Sequence, residues 1–268
     1  MVSRPIIGVF DSGFGGLTVL KALLELIPGA EYFYFGDTAR LPYGSKSVET
    51  VARYAVEAAH FLEEQGAGLL VIACNTATAL ALNQIRLAAG VPVIGVVEPG
   101  AESASLASTQ RKIVVIGTEA TVSSQAYRKA LEARGAGARE KACPLLVPLV
   151  EEGWIEHPVT EQVTRIYLEE AFADGFEDAD VLLLGCTHYP LLAPVLRRVA
   201  PPQVRIVDSA ESTARAVSQQ LRGDGASAGA AKPSLRFFAT DSVEKFRRLG
   251  ARFLGRPIEL VEHIDLKE

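Results

Sequence analysis

Short apolar runs of strand length alternate with segments of helical spacing from one end of the chain to the other. A strand buried on both faces reads as a near-continuous apolar run. A helix lying on a core repeats its apolar positions roughly every 3.6 residues. Read that way, strands are predicted at Ile6–Asp11, Glu31–Gly36, Leu69–Ala73, Pro92–Val97, Ile113–Gly117, Leu145–Leu149, Val181–Gly185, Val204–Asp208 and Leu235–Ala239. Helical spacing falls between most of them, as over Val48–Glu64 and Thr160–Ala173. Strands alternating with helices imply an α/β fold with mainly parallel sheets flanked by helices.

The pattern also repeats weakly. Val71-Ile72-Ala73-Cys74-Asn75-Thr76 leads through a helix and a strand to Ala101-Glu102-Ser103. Leu183-Leu184-Gly185-Cys186-Thr187-His188 leads in the same way to Ala210-Glu211-Ser212. The two cysteines are 112 positions apart and the two Ala-Glu-Ser triplets 109. A third pair joins Ile7–Ser12, leading to Lys21-Ala22-Leu23, with Val114–Thr118, leading to Lys129-Ala130-Leu131. The expectation is two pseudo-symmetric α/β lobes facing one another, with a site at their interface. The first would hold residues 1–97 and 209–268, the second 98–208. Arg222–Pro233, rich in Gly, Ala and Ser, is expected to be an exposed, mobile loop.

Composition narrows the function classes. The chain's 268 residues suffice for one large domain or two compact ones. A net charge of −5 argues against nucleic-acid binding. It leaves a small anionic substrate open, because helix ends and backbone amides bind anions locally. The apolar runs are too short to cross a membrane, and Met1–Phe10 has no basic segment followed by a long apolar core. Three cysteines fit a reducing cytoplasm with free thiols.

Cys74 and Cys186 each follow an apolar strand and precede a helix. Ligands of open α/β sheets bind at the carboxyl ends of strands, and a helix N-terminus there favours a thiolate. A free cysteine is more often buried and inert. Two at equivalent points of a repeat, followed by Asn75-Thr76 and Thr187-His188, point to chemistry instead. Cys143, in Ala142-Cys143-Pro144, has no such company and reads as structural. Two thiols on opposite faces of a tetrahedral carbon can invert it, one removing a proton and the other returning one.

Other residues suit this arrangement. Asp11 opens the turn Asp11-Ser12-Gly13-Phe14-Gly15-Gly16, which lacks the spacing of a phosphate loop. Its carboxylate is suited to assist Cys74, to meet a substrate ammonium, or to cap a helix. His188 is placed to assist Cys186. Tyr43 and Gly44 end a polar loop and offer backbone donors to a carboxylate, whereas Asp37 fits a loop or cap role. Glu151 or Glu152 would orient His188. Thr118 and Thr121 suit either carboxylate binding or capping.

Four segments together carry a family resemblance. Asp-Ser-Gly-Phe-Gly-Gly (11–16), Gly-Asp-Thr-Ala-Arg-Leu-Pro-Tyr-Gly (36–44), Ala-Cys-Asn-Thr-Ala (73–77) and Gly-Cys-Thr-His-Tyr-Pro (185–190) resemble the glutamate racemases in residues, order and spacing. The resemblance implies an isomerase that interconverts L- and D-glutamate without cofactor or metal. It further implies a cytoplasmic role in supplying D-glutamate for peptidoglycan, and so for cell-wall biogenesis and cell shape, often as a homodimer. Carried over residue by residue, it makes Cys74 and Cys186 the acid–base pair, assisted by Asp11 and by His188. Ser12, Pro42, Tyr43, Gly44, Asn75, Thr76 and Thr187 fall on substrate-lining positions. The family's glutamate falls on Glu151, with Glu152 left open by the spacing. Competing readings are a racemase of another acidic amino acid such as aspartate, and a non-catalytic two-lobed binder of small anions. A redox or metal pair has less support, because no Cys-X-X-Cys exists and the histidines are scattered.

Overall fold

The computed structural model describes residues 4–223 and 233–266. The first βα series runs β1 (Ile6–Asp11), α1 (Leu17–Leu26), β2 (Glu31–Gly36), α2 (Val48–Glu64), β3 (Leu69–Ile72), α3 (Asn75–Ala88) and β4 (Val93–Gly95). The second runs α4 (Val97–Ala107), β5 (Lys112–Gly117), α5 (Glu119–Ser124), α6 (Ala126–Glu132), β6 (Gly137–Ala142), α7 (Leu146–Glu151), α8 (Pro158–Ala171), β7 (Val181–Gly185), α9 (Ala193–Val199) and β8 (Arg205–Asp208). The chain ends with α10 (Ala210–Gly223), β9 (Ser234–Ala239), α11 (Val243–Leu254) and β10 (Glu262–His263).

Among the described residues the strands form two parallel sheets, ordered β10-β9-β2-β1-β3-β4 and β6-β5-β7-β8. Strand for strand, β2-β1-β3-β4 repeats as β6-β5-β7-β8. That is the internal similarity of the sequence expressed as topology. In each sheet the chain first winds one way, from β1 to β2 or β5 to β6, and then the other. The reversal falls between β1 and β3 in the first sheet and between β5 and β7 in the second. Such switch points leave a crevice at the carboxyl ends of the strands. Asp11 and Cys74 flank the first crevice, and Thr118 and Cys186 the second.

β3 and β7 are buried along their whole length, which is why their sequences are uniformly apolar. One continuous cluster of buried side chains joins the lobes, from Val9 and Phe14 in the first to Val114, Leu184 and Tyr189 in the second. No helix among the described residues is long and apolar enough to cross a membrane.

Two expected strands are corrected, one strand was missed, and one expected loop lies mostly outside the described residues. Leu145–Leu149 is not a strand, because α7 covers Leu146–Glu151. Pro148 has no N–H for a strand ladder but is tolerated in the first turn of a helix. The place beside β5 is taken by β6, which the hydrophobic pattern missed. As an edge strand reading Gly-Ala-Arg-Glu-Lys-Ala it carries the charges that protect such edges. The strand expected over Pro92–Val97 shortens to Val93–Gly95 because Val97 opens α4. Of the loop expected over Arg222–Pro233, Arg222 and Gly223 end α10 and residues 224–232 lie outside the described residues.

Leu183 is fully buried in β7 at the centre of the second sheet. Leu183→Ala is expected to cost about 2–5 kcal/mol, read as a lower urea midpoint with an unchanged slope. A loss under about 1 kcal/mol would contradict this packing.

Candidate active site

The carboxyl ends of the two sheets face one cavity of about 350 Å³. Cys74 and Cys186 both line it, one from each lobe, with Ser12, Tyr43, Asn75, Thr76, Thr187 and His188. Pro42, Gly44, Thr118, Glu151 and Glu152 also stand on its walls, whereas Asp11 and Thr121 do not.

Cys74 is the N-cap of α3, and its Sγ accepts the Ala77 N–H at 3.4 Å. The thiol in turn lies 3.5 Å from the Ser12 hydroxyl. Burial, reinforced by the charge of Asp11, pushes the Cys74 thiol up to about 12, against the opposing pull of these hydrogen bonds. At neutral pH this sulfur therefore holds its proton. Asp11 is wholly buried behind the turn and does not line the cavity. Its Oδ2 accepts the Gly13 N–H at 2.9 Å, and its Oδ1 accepts the Thr187 hydroxyl of the other lobe at 3.4 Å. Burial raises its carboxyl above the usual range, with the nearby His188 pulling the other way. Asp11 thus stands beside Cys74 without lining the cavity.

The second thiol has a different neighbour. His188 Nδ1 lies 3.9 Å from Cys186 Sγ. Its Nε2 lies 3.4 Å from Glu151 Oε1. Burial works against a charged imidazole, but the Cys186 sulfur and the Glu151 carboxylate outweigh it and raise His188 to about 10. Glu151 is held below its usual range because His188 and Lys245 overcome the cost of its burial. Of the two adjacent glutamates, Glu151 is the one that lies against His188. Two aromatic rings of the first lobe, Phe14 and Phe253, meet the imidazole edge-on at 6.1 and 5.3 Å.

The lobes touch where side chains are absent. A Cβ added to Gly15 would lie 2.3 Å from Thr187 Oγ1 and 2.6 Å from His188 Nδ1. One added to Gly44 would lie 2.8 Å from Thr118 Cβ. Glycine at these two positions lets the Cys-Thr-His turn and the N-cap of α5 close onto the first lobe.

Donors converge on the cavity. Thr76, Thr118 and Thr121 form a triangle of hydroxyls at 2.9–3.2 Å. Thr118 both caps α5 and lines the cavity. Thr121 is fully buried and does not line it, so its expected ligand contact gives way to a role behind Thr76 and Thr118. Asn75 Oδ1 accepts the Tyr127 hydroxyl at 2.5 Å, while its Nδ2 is buried without a partner among the described residues. The 36–45 loop, with its cis Leu41–Pro42 peptide, is fastened through Asp37. That carboxylate accepts from Arg40 at 2.7 Å, Tyr43 at 2.5 Å and Thr240 at 2.9 Å.

Leu41, Ser45, Glu119, Pro144, Val147 and Pro148 also line the cavity and were not singled out from the sequence. Val147 and Pro148 belong to the segment read as a strand, and Pro144 immediately precedes it. Cys143 is buried away from the cavity, with its thiol 3.6 Å from the Lys141 carbonyl. Among the described residues no group of three or more His, Cys, Asp or Glu is placed to hold a metal ion.

Known proteins resemble the chain in sequence and in structure. The profile of the Asp/Glu/hydantoin racemase family matches residues 7–217. A glutamate racemase of Koribacter versatilis is 60% identical, covering 98% of this chain and 98% of that protein. The crystal structure of a Bacillus anthracis glutamate racemase isoform superposes with a TM-score of 0.92 at 39% identity, over 98% of each chain. The structure of the Francisella tularensis glutamate racemase in complex with D-glutamate superposes with a TM-score of 0.91 at 33% identity, over 99% of each chain. On this footing the chain belongs to the Asp/Glu/hydantoin racemase family and, within it, to the glutamate racemases.

Proposed function

We propose that this protein interconverts L- and D-glutamate by carrying the Cα proton between Cys74 and Cys186, with neither cofactor nor metal. The observation that carries the reading is one cavity with a thiol from each lobe on its wall, each thiol backed by a different titratable group. In the direction that starts from a Cys74 thiol, Cys186 takes the proton from one face of Cα. Cys74 then gives its own proton to the other face. One turnover leaves a proton on the Cys186 sulfur and removes one from the Cys74 sulfur, which is the starting state for the opposite enantiomer. His188 is placed to take or return the Cys186 proton, and Asp11 lies beside Cys74.

The carbanion-like transition state needs preorganised donors for the charge that moves into the substrate carboxylate. The unpaired Asn75 Nδ2 and the hydroxyls of Ser12, Thr76, Thr118 and Thr187 line the wall that would supply them. The glutamate racemase similarity over nearly the whole chain supports glutamate as the substrate. D-glutamate is a peptidoglycan building block in the expectation drawn from the family, so we assign the product that use. We also propose that the lobes divide as 1–97 with 209–268 and as 98–208. In keeping with that division, α4 packs on β7 and β8, and α10 on α1.

Cys74→Ala and Cys186→Ala should each lower racemisation in both directions by about 10³-fold or more, because one face of Cα loses its proton carrier. Polarimetry of either enantiomer measures this, and near-UV circular dichroism checks the fold. Full activity in either variant would sink the two-thiol reading. Glu151→Gln removes the carboxylate that favours the imidazolium, so the His188 midpoint should fall from about 10 towards the ordinary 6.5. A ¹⁵N-histidine NMR titration reads this directly. An unchanged midpoint would mean that Glu151 does not set the charge on His188.

A further inference from the structure

The Glu151 carboxylate is shared between two cations, one from each lobe. Its Oε1 faces His188 Nε2 at 3.4 Å, and its Oε2 binds Lys245 Nζ at 3.0 Å. His188 and Glu151 belong to the second lobe, whereas Lys245 is in the first turn of α11, which packs on α1 of the first. None of the four segments that carry the family resemblance includes Lys245, and the mechanism above does not use it.

The contact is part of a docked surface. Two helical turns beyond Lys245, the Arg252 guanidinium lies against Gly153, where an added Cβ would come within 2.7 Å of Nη1. Gly153 follows the end of α7, so α11 grips that end at two points. The Lys245 ammonium also stands 5.6 Å over the Phe14 ring, whose neighbour is the His188 imidazole. His188 Nε2 is buried and makes no well-aligned hydrogen bond, so its ion pair with Glu151 is what orients it. A carboxylate held by a single soft contact would rotate. A second cation on its far oxygen fixes both its torsion and its distance from the imidazole.

We propose that Lys245 is a positioning residue, reaching across the lobe interface to hold Glu151 on His188, so that the Cys186 half of the site is completed only when the lobes are closed. The proposal rests on the reading of Cys186 and His188 as one half of a racemase site. The groups that face His188 are Cys186 from the end of β7, Glu151 from α7 and Asp11 from β1. Those that face Glu151 are His188 and Lys245.

The test compares wild type, Lys245→Met and Lys245→Arg in the full chain. The readouts are kcat and KM for each enantiomer of glutamate and the NMR titration of His188. Lys245→Met should lower kcat by about tenfold with little change in KM, because the acid–base group is displaced while the ligand-lining donors stay. The equilibrium constant of a racemisation is fixed, so kcat/KM must fall equally in both directions. The His188 midpoint should move downward, since the Glu151 carboxylate that favours the imidazolium is no longer held against it. Lys245→Arg should restore both readouts. An active wild type with Lys245→Met matching it in kcat and in the His188 midpoint would overturn the proposal. So would equal losses in the Met and Arg variants. A wild type that does not racemise glutamate would instead overturn the reading on which the proposal rests.

Discussion

The structure depends on the direct contact between two strand-end turns, Asp11–Gly16 of the first lobe and Cys186–His188 of the second. Each thiol sits at the switch point of its own sheet, where a crevice is inherent in the winding. Neither crevice alone can present groups to both faces of a carbon atom. The two become one cavity because Gly15 leaves room for Thr187 and His188, and because Thr187 bonds to the Asp11 carboxylate. A side chain at position 15 would occupy the space where the second lobe sits.

The two halves are alike in topology and unlike in electrostatics. Cys74 is buried near a carboxylate, which keeps its proton on the sulfur. Cys186 stands beside an imidazole that its own sulfur and the Glu151 carboxylate together hold above the usual histidine range. Symmetric scaffolds with asymmetric neighbours suit a reaction whose two directions differ only in which face of the carbon loses its proton. The helix N-terminus at Cys74 and the hydroxyls around the cavity supply the fixed dipoles that such a reaction needs without solvent reorganisation.

Much of this was legible in the sequence, for identifiable reasons. β3 and β7 announce themselves because burial on both faces demands uninterrupted apolar residues. The cysteines stand out because they end those strands at equivalent points of a repeat. β6 was invisible because an edge strand is charged, and α7 was misread because Leu-Leu-Val-Pro-Leu-Val has the composition of a strand. Its proline fits the first turn of a helix, and with that helix go the cavity-facing positions of Val147 and Pro148. Thr121 looked like Thr118, but the turn of α5 buries one hydroxyl behind the other. Glu151 and Glu152 are indistinguishable as neighbours in sequence and separate only once α7 turns one towards His188. Lys245 lies on a helix almost 60 residues beyond Cys186, and no local pattern marks it as a partner of Glu151.

The central claim is that two thiols exchange the Cα proton of glutamate with nothing else bound. Proton NMR of the purified protein with L-glutamate in deuterated buffer, followed together with optical rotation, tests it most directly. The account predicts that the α-proton signal disappears while the rotation decays to zero, in the absence of any added cofactor. An α-proton that persists, with the rotation unchanged and the ligand bound, would contradict it and leave a two-lobed protein that binds its anion without inverting it.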